Sequence, residues 1–176
     1  MKSMISVQQT QQPLRQTYKQ APDMAMITDH ARSGSAECDD PFHSQVEPMD
    51  GCGVQVPVGM HRALGGPHDA PTPGDLLCAA LAACQDMSIR MVANLMGIEL
   101  LSLQVAVRGT LDVRGALGMS TEVPVGFQSM ECDVTWEVAS GTSPELLAKL
   151  RAAAERCCVV QQTLRHPPLV VTRFPN

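Results

Sequence analysis

Aromatic side chains are scarce in this sequence, which has one Trp, one Tyr and three Phe among 176 residues. Apolar residues nevertheless make up 44% of the chain, so its core has to be built from Leu, Val, Ala and Met. A chain of this length suits one domain with a sizeable core and leaves little room for a second. We therefore expect a single domain with an aliphatic core.

The sequence also lacks any run of lysine or arginine, and its formal net charge is -5. Binding of phosphate backbones needs a basic face, so nucleic acid is not an expected partner. The N-terminus has no apolar stretch of the kind that a secretory signal needs. The longest apolar run, Leu76 to Cys84, is far shorter than the roughly 20 residues that span a bilayer. We expect no membrane partner and a cytoplasmic location.

Regular cysteine spacing is missing as well, although the chain has seven cysteines. An odd number without a Cys-x-x-Cys pair predicts neither a disulfide framework nor a zinc site. The five histidines show no ligand spacing relative to the cysteines, and none is marked as the base of a cysteine protease. We therefore expect no metal ion.

The first half of the chain gives weak signals of structure. Residues 1–20 are polar and Gln-rich without an apolar period, which predicts a tail or a partner-dependent arm ahead of a single domain over residues 21–176. Short strands are predicted at Met24 to Thr28 and at Val54 to Val58. Pro57 restricts the second of these to the edge of a sheet.

The strongest predicted element is a helix that begins after Thr72 and ends at about Met96. Thr72 and Asp75 have the spacing of a capping box, Pro73 suits the first helical position, and Gly97 stops the helix. Apolar residues cover most of its circumference, as expected for a central buried helix.

Alternating patterns then predict two strands with one wet face each, over Leu101 to Val107 and Met130 to Val138. A second helix is predicted from Ser143 to about Cys158, followed by a short turn over Gln161 to Arg165 and a last strand over Leu169 to Val171. This order indicates an α+β architecture, with helices laid on antiparallel sheet.

Three cysteines lie at apolar positions of the two helices, namely Cys84, Cys157 and Cys158. Free cysteine behaves as a small hydrophobe, so one interpretation is that all three are core residues. The alternative is a redox pair, which requires two Cα atoms within about 7 Å of each other. The other four are interpreted as structural or incidental: Cys38, Cys52, Cys78 and Cys132.

Two segments resemble the OsmC/Ohr family, that is, osmotically inducible protein C and organic hydroperoxide resistance protein. Pro73 to Cys84 resembles the family's helix Pro-Glu-x-Leu-Leu-x-Ala-x-Ala-Ala-Cys, and Cys158 to Leu164 resembles its second cysteine segment. The elements between them occur in the family's order, and the resemblance covers roughly residues 53–174. Two cysteine motifs in register are more specific than either alone.

The resemblance implies an OsmC-like fold, in which antiparallel sheets wrap around long central helices in an intertwined homodimer. It also implies thiol-dependent reduction of organic hydroperoxides, as a defence against oxidative stress. Cys84 would attack the peroxide and Cys158 would resolve the resulting sulfenic acid. Such an enzyme uses no bound cofactor, and an external dithiol reductant restores both thiols. The register favours Cys158 over Cys157 as the resolving thiol and leaves Cys157 as the alternative.

The sequence departs from the family at two positions. Gly74 stands where the family has the Glu that holds an activating Arg, and Val159 replaces the Pro after the second cysteine. Asp75 is next to Gly74, but one helical step turns it about 100° away, and Arg32 and Arg62 are the candidates for the cation. These departures favour an alternative function, a non-catalytic or redox-sensing protein that binds a small apolar ligand on the OsmC-like scaffold.

Overall fold

The computed structural model describes residues 5–34 and 38–175. It divides into two compact units, each assembled from separate stretches of the chain. The first unit contains the described residues up to Gln8, Ala80–Ala106 and the chain from Cys132 onward, and the second contains Gln9–Ala79 and Val107–Glu131. The tail at residues 1–20 and the single domain over residues 21–176 stay predictions.

The described residues form helices and short strands, with brief 3-10 helices at Pro22–Ala25 and Arg62–Leu64. In chain order the elements are α1 (Val7–Gln20), β1 (Arg32–Ser33), β2 (His43–Glu47), β3 (Val56–Gly59), α2 (Pro73–Met96), β4 (Leu100–Thr110), α3 (Val113–Ala116), β5 (Ser129–Val138), α4 (Pro144–Cys157) and α5 (Val159–Arg165). Two small antiparallel sheets and several helices confirm the predicted α+β class.

Helix α2 begins as its sequence predicts. The Asp75 backbone N–H donates to Thr72 Oγ1 at 3.1 Å, and the Thr72 N–H donates to Asp75 Oδ2 at 2.8 Å. This reciprocal capping box satisfies two N–H groups that the first helical turn would leave without partners. The helix ends at Met96, and Gly97 follows in the left-handed conformation with a φ of 67°.

Strands β4 and β5 pair antiparallel, in agreement with the alternating sequence. The Gln128 N–H donates to the Thr110 carbonyl at 2.8 Å at one end, and the Ala139 N–H donates to the Glu99 carbonyl at 3.0 Å at the other. The side chains of β4 alternate in exposure from Leu103 to its end, as expected for a strand with one wet face.

The core of the first unit is aliphatic. Ser143 caps α4 by accepting the Leu146 N–H at 3.2 Å, and the helix buries Leu150 completely. Side chains from α2, α4 and the turn between α2 and β4 make up this core: Val92, Ala93, Ile98, Leu150 and Ala153. Trp136 of β5 packs against its edge.

The second unit contains a three-stranded antiparallel sheet in the order β1, β2, β3. Pro57 lies in β3 opposite Gln45, and β3 is an edge strand, as the lack of a proline N–H requires. The strands β1 and β2 were not predicted. The strand predicted at Met24 to Thr28 is wrong, because the 3-10 helix Pro22–Ala25 occupies its start and the rest has no strand partner.

Residues 7–20 of the predicted tail or arm form the 14-residue helix α1, and none of its residues is buried. The strand predicted at Leu169 to Val171 is wrong: these residues are exposed and form no regular element. A strand needs a neighbour for its backbone hydrogen bonds, and in the described chain this segment has none.

Within residues 5–34 and 38–175, α2 is the one helix long and apolar enough to cross a bilayer by length and composition. Its most apolar stretch of 18 residues has a mean hydropathy of 1.4. A core helix of a globular protein has the same properties, and α2 buries Leu81, Ile89, Val92 and Ala93 within the structure. Length and composition are therefore weak evidence of a membrane span.

Candidate functional site

The thiol of Cys84 lies on α2 within the first unit and is half-buried. The Val160 backbone N–H donates to Cys84 Sγ at a distance of 3.5 Å. Val160 is the second residue of α5, where backbone N–H groups have no partner inside the helix. The sulfur of Cys84 thus receives a polar contact that stabilises negative charge on it.

The second candidate, Cys158, lies between α4 and α5. Its backbone is extended, with φ -75° and ψ 100°, so it closes α4 and begins α5. The Cys158 N–H donates to the Ala154 carbonyl at 3.0 Å, and its own carbonyl accepts the Gln162 N–H at 2.9 Å. These bonds hold the residue from both sides, and its side chain is fully buried.

The structure brings Cys84 and Cys158 together within the first unit. The pKa of the Cys158 thiol is raised to about 11, mainly by burial and in addition by a hydrogen-bonding interaction with the neighbouring Cys84 thiol. The Gln161 backbone N–H acts in the opposite direction and lowers the pKa. Cys158 is therefore almost entirely protonated near neutral pH.

Cys157 has different surroundings from its neighbour. It is the last residue of α4 and is exposed, because one helical step turns it away from Cys158. It lines an open hollow of about 420 Å³ together with Val159, Thr163 and His166. The geometry thus places Cys158, and not Cys157, against Cys84.

A second cavity, of about 270 Å³, lies in the first unit and is lined by residues of α2, β5 and α4. Ile89, Val134 and Trp136 give it apolar walls, and the Arg151 guanidinium lies 5.5 Å from the centre of the Trp136 ring. Polar side chains complete the lining: Gln85, Cys132 and Glu155. The cavity can hold a small molecule that has both polar and apolar groups.

The missing carboxylate at Gly74 has a packing explanation within the second unit. A Cβ atom added to Gly74 would lie 3.1 Å from Cζ of Phe127, and one added to Gly109 of β4 would lie 2.6 Å from Cε1 of the same ring. Phe127 therefore occupies the space beside both glycines. A longer side chain at position 74 would have to displace the ring.

Asp75 does not replace the missing glutamate. Its carboxylate accepts hydrogen bonds from the Thr72 backbone N–H and hydroxyl, which hold the pKa of Asp75 below its usual value. Both bonds go to Asp75 Oδ2, which serves the capping box as the sequence predicts.

The two arginine candidates both belong to the second unit. Arg32 donates to the buried Glu47 carboxylate at 2.8 Å and lies 3.1 Å from Asp50. The Arg32 guanidinium holds the pKa of Glu47 below its usual value, and the Gly51 and Gly53 N–H groups add to the effect. Arg32 is thus an arginine held by a glutamate, but the glutamate belongs to β2 and not to α2. Arg62 lies in the 3-10 helix Arg62–Leu64.

Three features described above were not predicted from the sequence. The Val160 N–H has no sequence signature, because a backbone donor is independent of residue type. Phe127 had no signal other than two glycines far away in the chain, Gly74 and Gly109. Cys132 was interpreted as incidental, although it alternates in register with Val134 and Trp136 on the same side of β5.

Residues 66–173, more than half of the chain, match the family model described as OsmC-like protein. No curated protein matches the sequence.

Solved structures with the same fold are numerous. An OsmC-like protein of unknown function from Vibrio cholerae superposes with a TM-score of 0.64 at 14% identity, covering 78% of this chain and 94% of that one. An organic hydroperoxide resistance protein OsmC from Legionella pneumophila gives 0.57 at 25% identity, with 80% and 91% covered. An organic hydroperoxide resistance protein from Elizabethkingia anophelis gives 0.58 at 19% identity, with 81% and 91% covered. The fold and the family model agree, and this chain belongs to the OsmC-like protein family.

Proposed function

We propose that this protein reduces organic hydroperoxides with a reactive cysteine, Cys84, and a resolving cysteine, Cys158. The observation that carries the proposal is the meeting of these two thiols from α2 and from the junction of α4 and α5. The Val160 N–H donates to the sulfur of Cys84 next to this contact. The similarity to organic hydroperoxide resistance proteins supports the same reaction.

The first step is the attack of the Cys84 thiolate on the distal oxygen of the hydroperoxide. The O–O bond breaks, the alcohol leaves with a proton, and Cys84 becomes a sulfenic acid. The Val160 N–H points at the sulfur and stabilises the thiolate before the attack.

The second step is resolution. The Cys158 thiolate attacks the sulfur of the sulfenic acid, water leaves, and a Cys84–Cys158 disulfide forms. An external dithiol then reduces this disulfide by exchange and is itself oxidised to a disulfide, so the protein needs no bound cofactor. The partners proposed for the chain are thus an organic hydroperoxide and a dithiol reductant.

We also propose that the protein acts as a homodimer in the cytoplasm. Large apolar side chains of α2 remain exposed in the single chain, with Met87 at 60% and Leu95 at 39% exposure. A second copy that covers these residues would remove apolar surface from water. Size-exclusion chromatography with light scattering measures the mass directly, and a monomer at micromolar concentration would contradict this part of the proposal.

The experiment that tests the reaction uses the fully reduced protein and cumene hydroperoxide. We expect peroxide consumption and, in peptide maps after alkylation, a crosslink between the Cys84 and Cys158 peptides. Cys84→Ser should consume peroxide only at the rate of the buffer. Cys158→Ser should form one sulfenic acid that dimedone traps, and then stop. Cys157→Ser serves as the matched control, because it removes the adjacent exposed thiol. Full peroxide consumption by Cys84→Ser would refute the proposal.

A second candidate function is a ligand-binding or redox-sensing protein on the same scaffold. The cavity beside Ile89 and Trp136 favours it, as does the buried Gln85 Oε1, which has no hydrogen-bond partner in the part of the chain that the structure describes. A buried acceptor without a partner is costly, and a ligand with a donor group would satisfy it. Unreacted thiols after peroxide treatment, together with saturable binding of a small apolar alcohol, would support this function instead.

A further inference from the structure

A third thiol lies close to the pair formed by Cys84 and Cys158. Cys132 of β5 is exposed and lines the cavity of the first unit together with Gln85, Ala154 and Glu155. Gln85 follows Cys84 directly in α2, and the Ala154 carbonyl accepts the backbone N–H of Cys158. Cys132 therefore lines the same cavity as Gln85, the residue after Cys84, and Ala154, the residue that is hydrogen-bonded to Cys158.

The electrostatics of Cys158 agree with this arrangement. The charged form of Cys132 raises the pKa of the Cys158 thiol, as does that of Cys84. This effect agrees with the geometry, because Cys132 lines the cavity together with Ala154, whose carbonyl accepts the Cys158 N–H. The three cysteines form a cluster, which we call the thiol cluster: Cys84, Cys132 and Cys158.

The members of the thiol cluster differ in their access to solvent. Cys158 is fully buried, Cys84 is half-buried and Cys132 is exposed. An external dithiol has to bring its sulfur into line with the disulfide that it reduces. It reaches a disulfide that includes Cys132 more easily than one between Cys84 and Cys158.

We propose that Cys132 is a third redox thiol, which takes the disulfide over from Cys84 and presents it to the external dithiol. This inference rests on the proposed function, because the Cys84–Cys158 disulfide is its starting point. Cys132 deprotonates, and its thiolate attacks Cys158 Sγ. The bond between Cys84 and Cys158 breaks as the bond between Cys132 and Cys158 forms, and the electron pair leaves on Cys84.

The exchange conserves the number of disulfides and needs no added oxidant. The departing Cys84 thiolate regains the Val160 N–H contact, and a stabilised leaving group favours exchange. The external dithiol next attacks Cys132 Sγ and releases Cys158. Its second thiol then releases Cys132, and the reductant leaves as its own disulfide. Cys84 is thus available for a new peroxide before the reductant has finished.

The test follows the disulfides in time. Reduced protein receives one equivalent of cumene hydroperoxide, is quenched with acid at intervals, alkylated with N-ethylmaleimide and mapped. We expect a Cys84–Cys158 crosslink first and a Cys132–Cys158 crosslink later, as alkylation of Cys84 returns. Cys132→Ser and Cys132→Ala should retain the first crosslink and full single-turnover consumption. Their steady-state rate with dithiothreitol should fall about tenfold or more, because the reductant must then attack the less accessible sulfurs.

Cys78→Ser is the matched control, because it removes another thiol from α2 and should leave both crosslinks and the steady-state rate unchanged. Diamide separates the two proposals, since it forms the first disulfide without peroxide. If cumene hydroperoxide is not consumed but the diamide disulfide still moves to Cys132, the proposed function fails and the role of Cys132 stands. If peroxide is consumed, Cys132 never joins a disulfide and Cys132→Ser turns over as fast as wild type, the role of Cys132 is overturned.

Discussion

The two compact units of this protein hold their titratable groups in opposite ways. In the first unit, burial raises the pKa of Cys158 and keeps its thiol neutral. In the second unit, the Phe42 backbone N–H and His43 lower the pKa of the exposed Asp40 carboxylate, and Arg32 lowers the pKa of the buried Glu47 carboxylate. The comparison teaches that Cys158 titrates at alkaline pH, whereas Asp40 and Glu47 titrate at acidic pH. A pH series can therefore examine these groups separately.

The units also differ in what they keep of the family pattern. The first unit retains both cysteines and brings them together. The second unit places a Phe127 ring against Gly74, where the family has a glutamate. The chain thus retains the two cysteines and has an aromatic ring beside the position where the family pattern has a carboxylate.

The largest expected effect is the pH dependence of resolution. Cys158 titrates with a pKa of about 11, so roughly one thiol in ten thousand is a thiolate at pH 7. Oxidation of Cys84 removes its contribution, but burial, the main cause of the raised pKa, remains. We expect the rate of disulfide formation from the sulfenic acid to rise about tenfold per pH unit from pH 7 to pH 9.

Rapid quenching with dimedone at each pH measures this rate, since dimedone traps only the sulfenic acid that has not been resolved. Cys158→Ser is the control, in which the trapped fraction stays constant in time at every pH. A disulfide that forms at the same rate at pH 7 and pH 9 would show that Cys158 is not the resolving thiol, or that its thiol is hydrated when Cys84 is oxidised.

The second largest expected effect is a loss of stability when a side chain is added next to the Phe127 ring. Gly109→Ala places a Cβ 2.6 Å from the ring, closer than carbon atoms can approach, and should destabilise the protein by about 1–3 kcal/mol. Gly74→Ala meets the ring at 3.1 Å in the first turn of α2. The better helix propensity of alanine there offsets part of the strain, so its stability should stay within about 1 kcal/mol of wild type.

Urea unfolding monitored by circular dichroism measures both differences. Phe127→Leu should restore part of the stability lost in Gly109→Ala, because it removes the atoms that clash. Gly74→Glu alone should not increase peroxide turnover, since the ring blocks the new carboxylate. Equal stability of Gly109→Ala and wild type would show that the ring does not occupy this position.

The elements whose sequence signals lie within a few neighbouring residues were predicted correctly. The capping box of Thr72 and Asp75, the stop at Gly97 and the alternation in β4 each depend on neighbours in the chain. The strand β2 reads His-Ser-Gln-Val-Glu, which has a single β-branched residue, and its pairing with β3 gives it its structure. Such pairing is non-local and leaves no mark on the segment itself.

The same distinction applies to the candidate site. Cys84 and Cys158 were found by their register with the family motifs, and their roles stay predictions until the peptide maps are made. The thiol cluster with Cys132 could not be predicted, because three segments separated by many residues have to pack before the sulfurs meet. The contact between Phe127 and Gly74 belongs to the same class: a gap in the family pattern is visible in the sequence, but the residue that fills it is not.

The smallest expected effect lies in the second unit, at His43. The imidazole hydrogen-bonds to Asp69 at 2.9 Å and to Asp40 at 2.7 Å, and these contacts raise the pKa of His43, with Asp69 as the larger cause. A raised pKa means that this contribution to stability is complete below pH 6.5 and is lost as the pH rises through the folded-state value. At the acid end, the lowered pKa values of Asp40 and Asp69 keep the pair charged down to below pH 3.8.

Thermal unfolding at low salt therefore separates wild type from His43→Gln most clearly at about pH 5, and the difference in Tm should shrink at pH 8. The effect is small because the three side chains are exposed and solvent screens their charges. His30→Gln is the matched control variant, because it removes another exposed histidine, which lies before β1. A Tm difference for His43→Gln that is the same at both pH values would indicate a packing effect and would remove the electrostatic contrast between the two units.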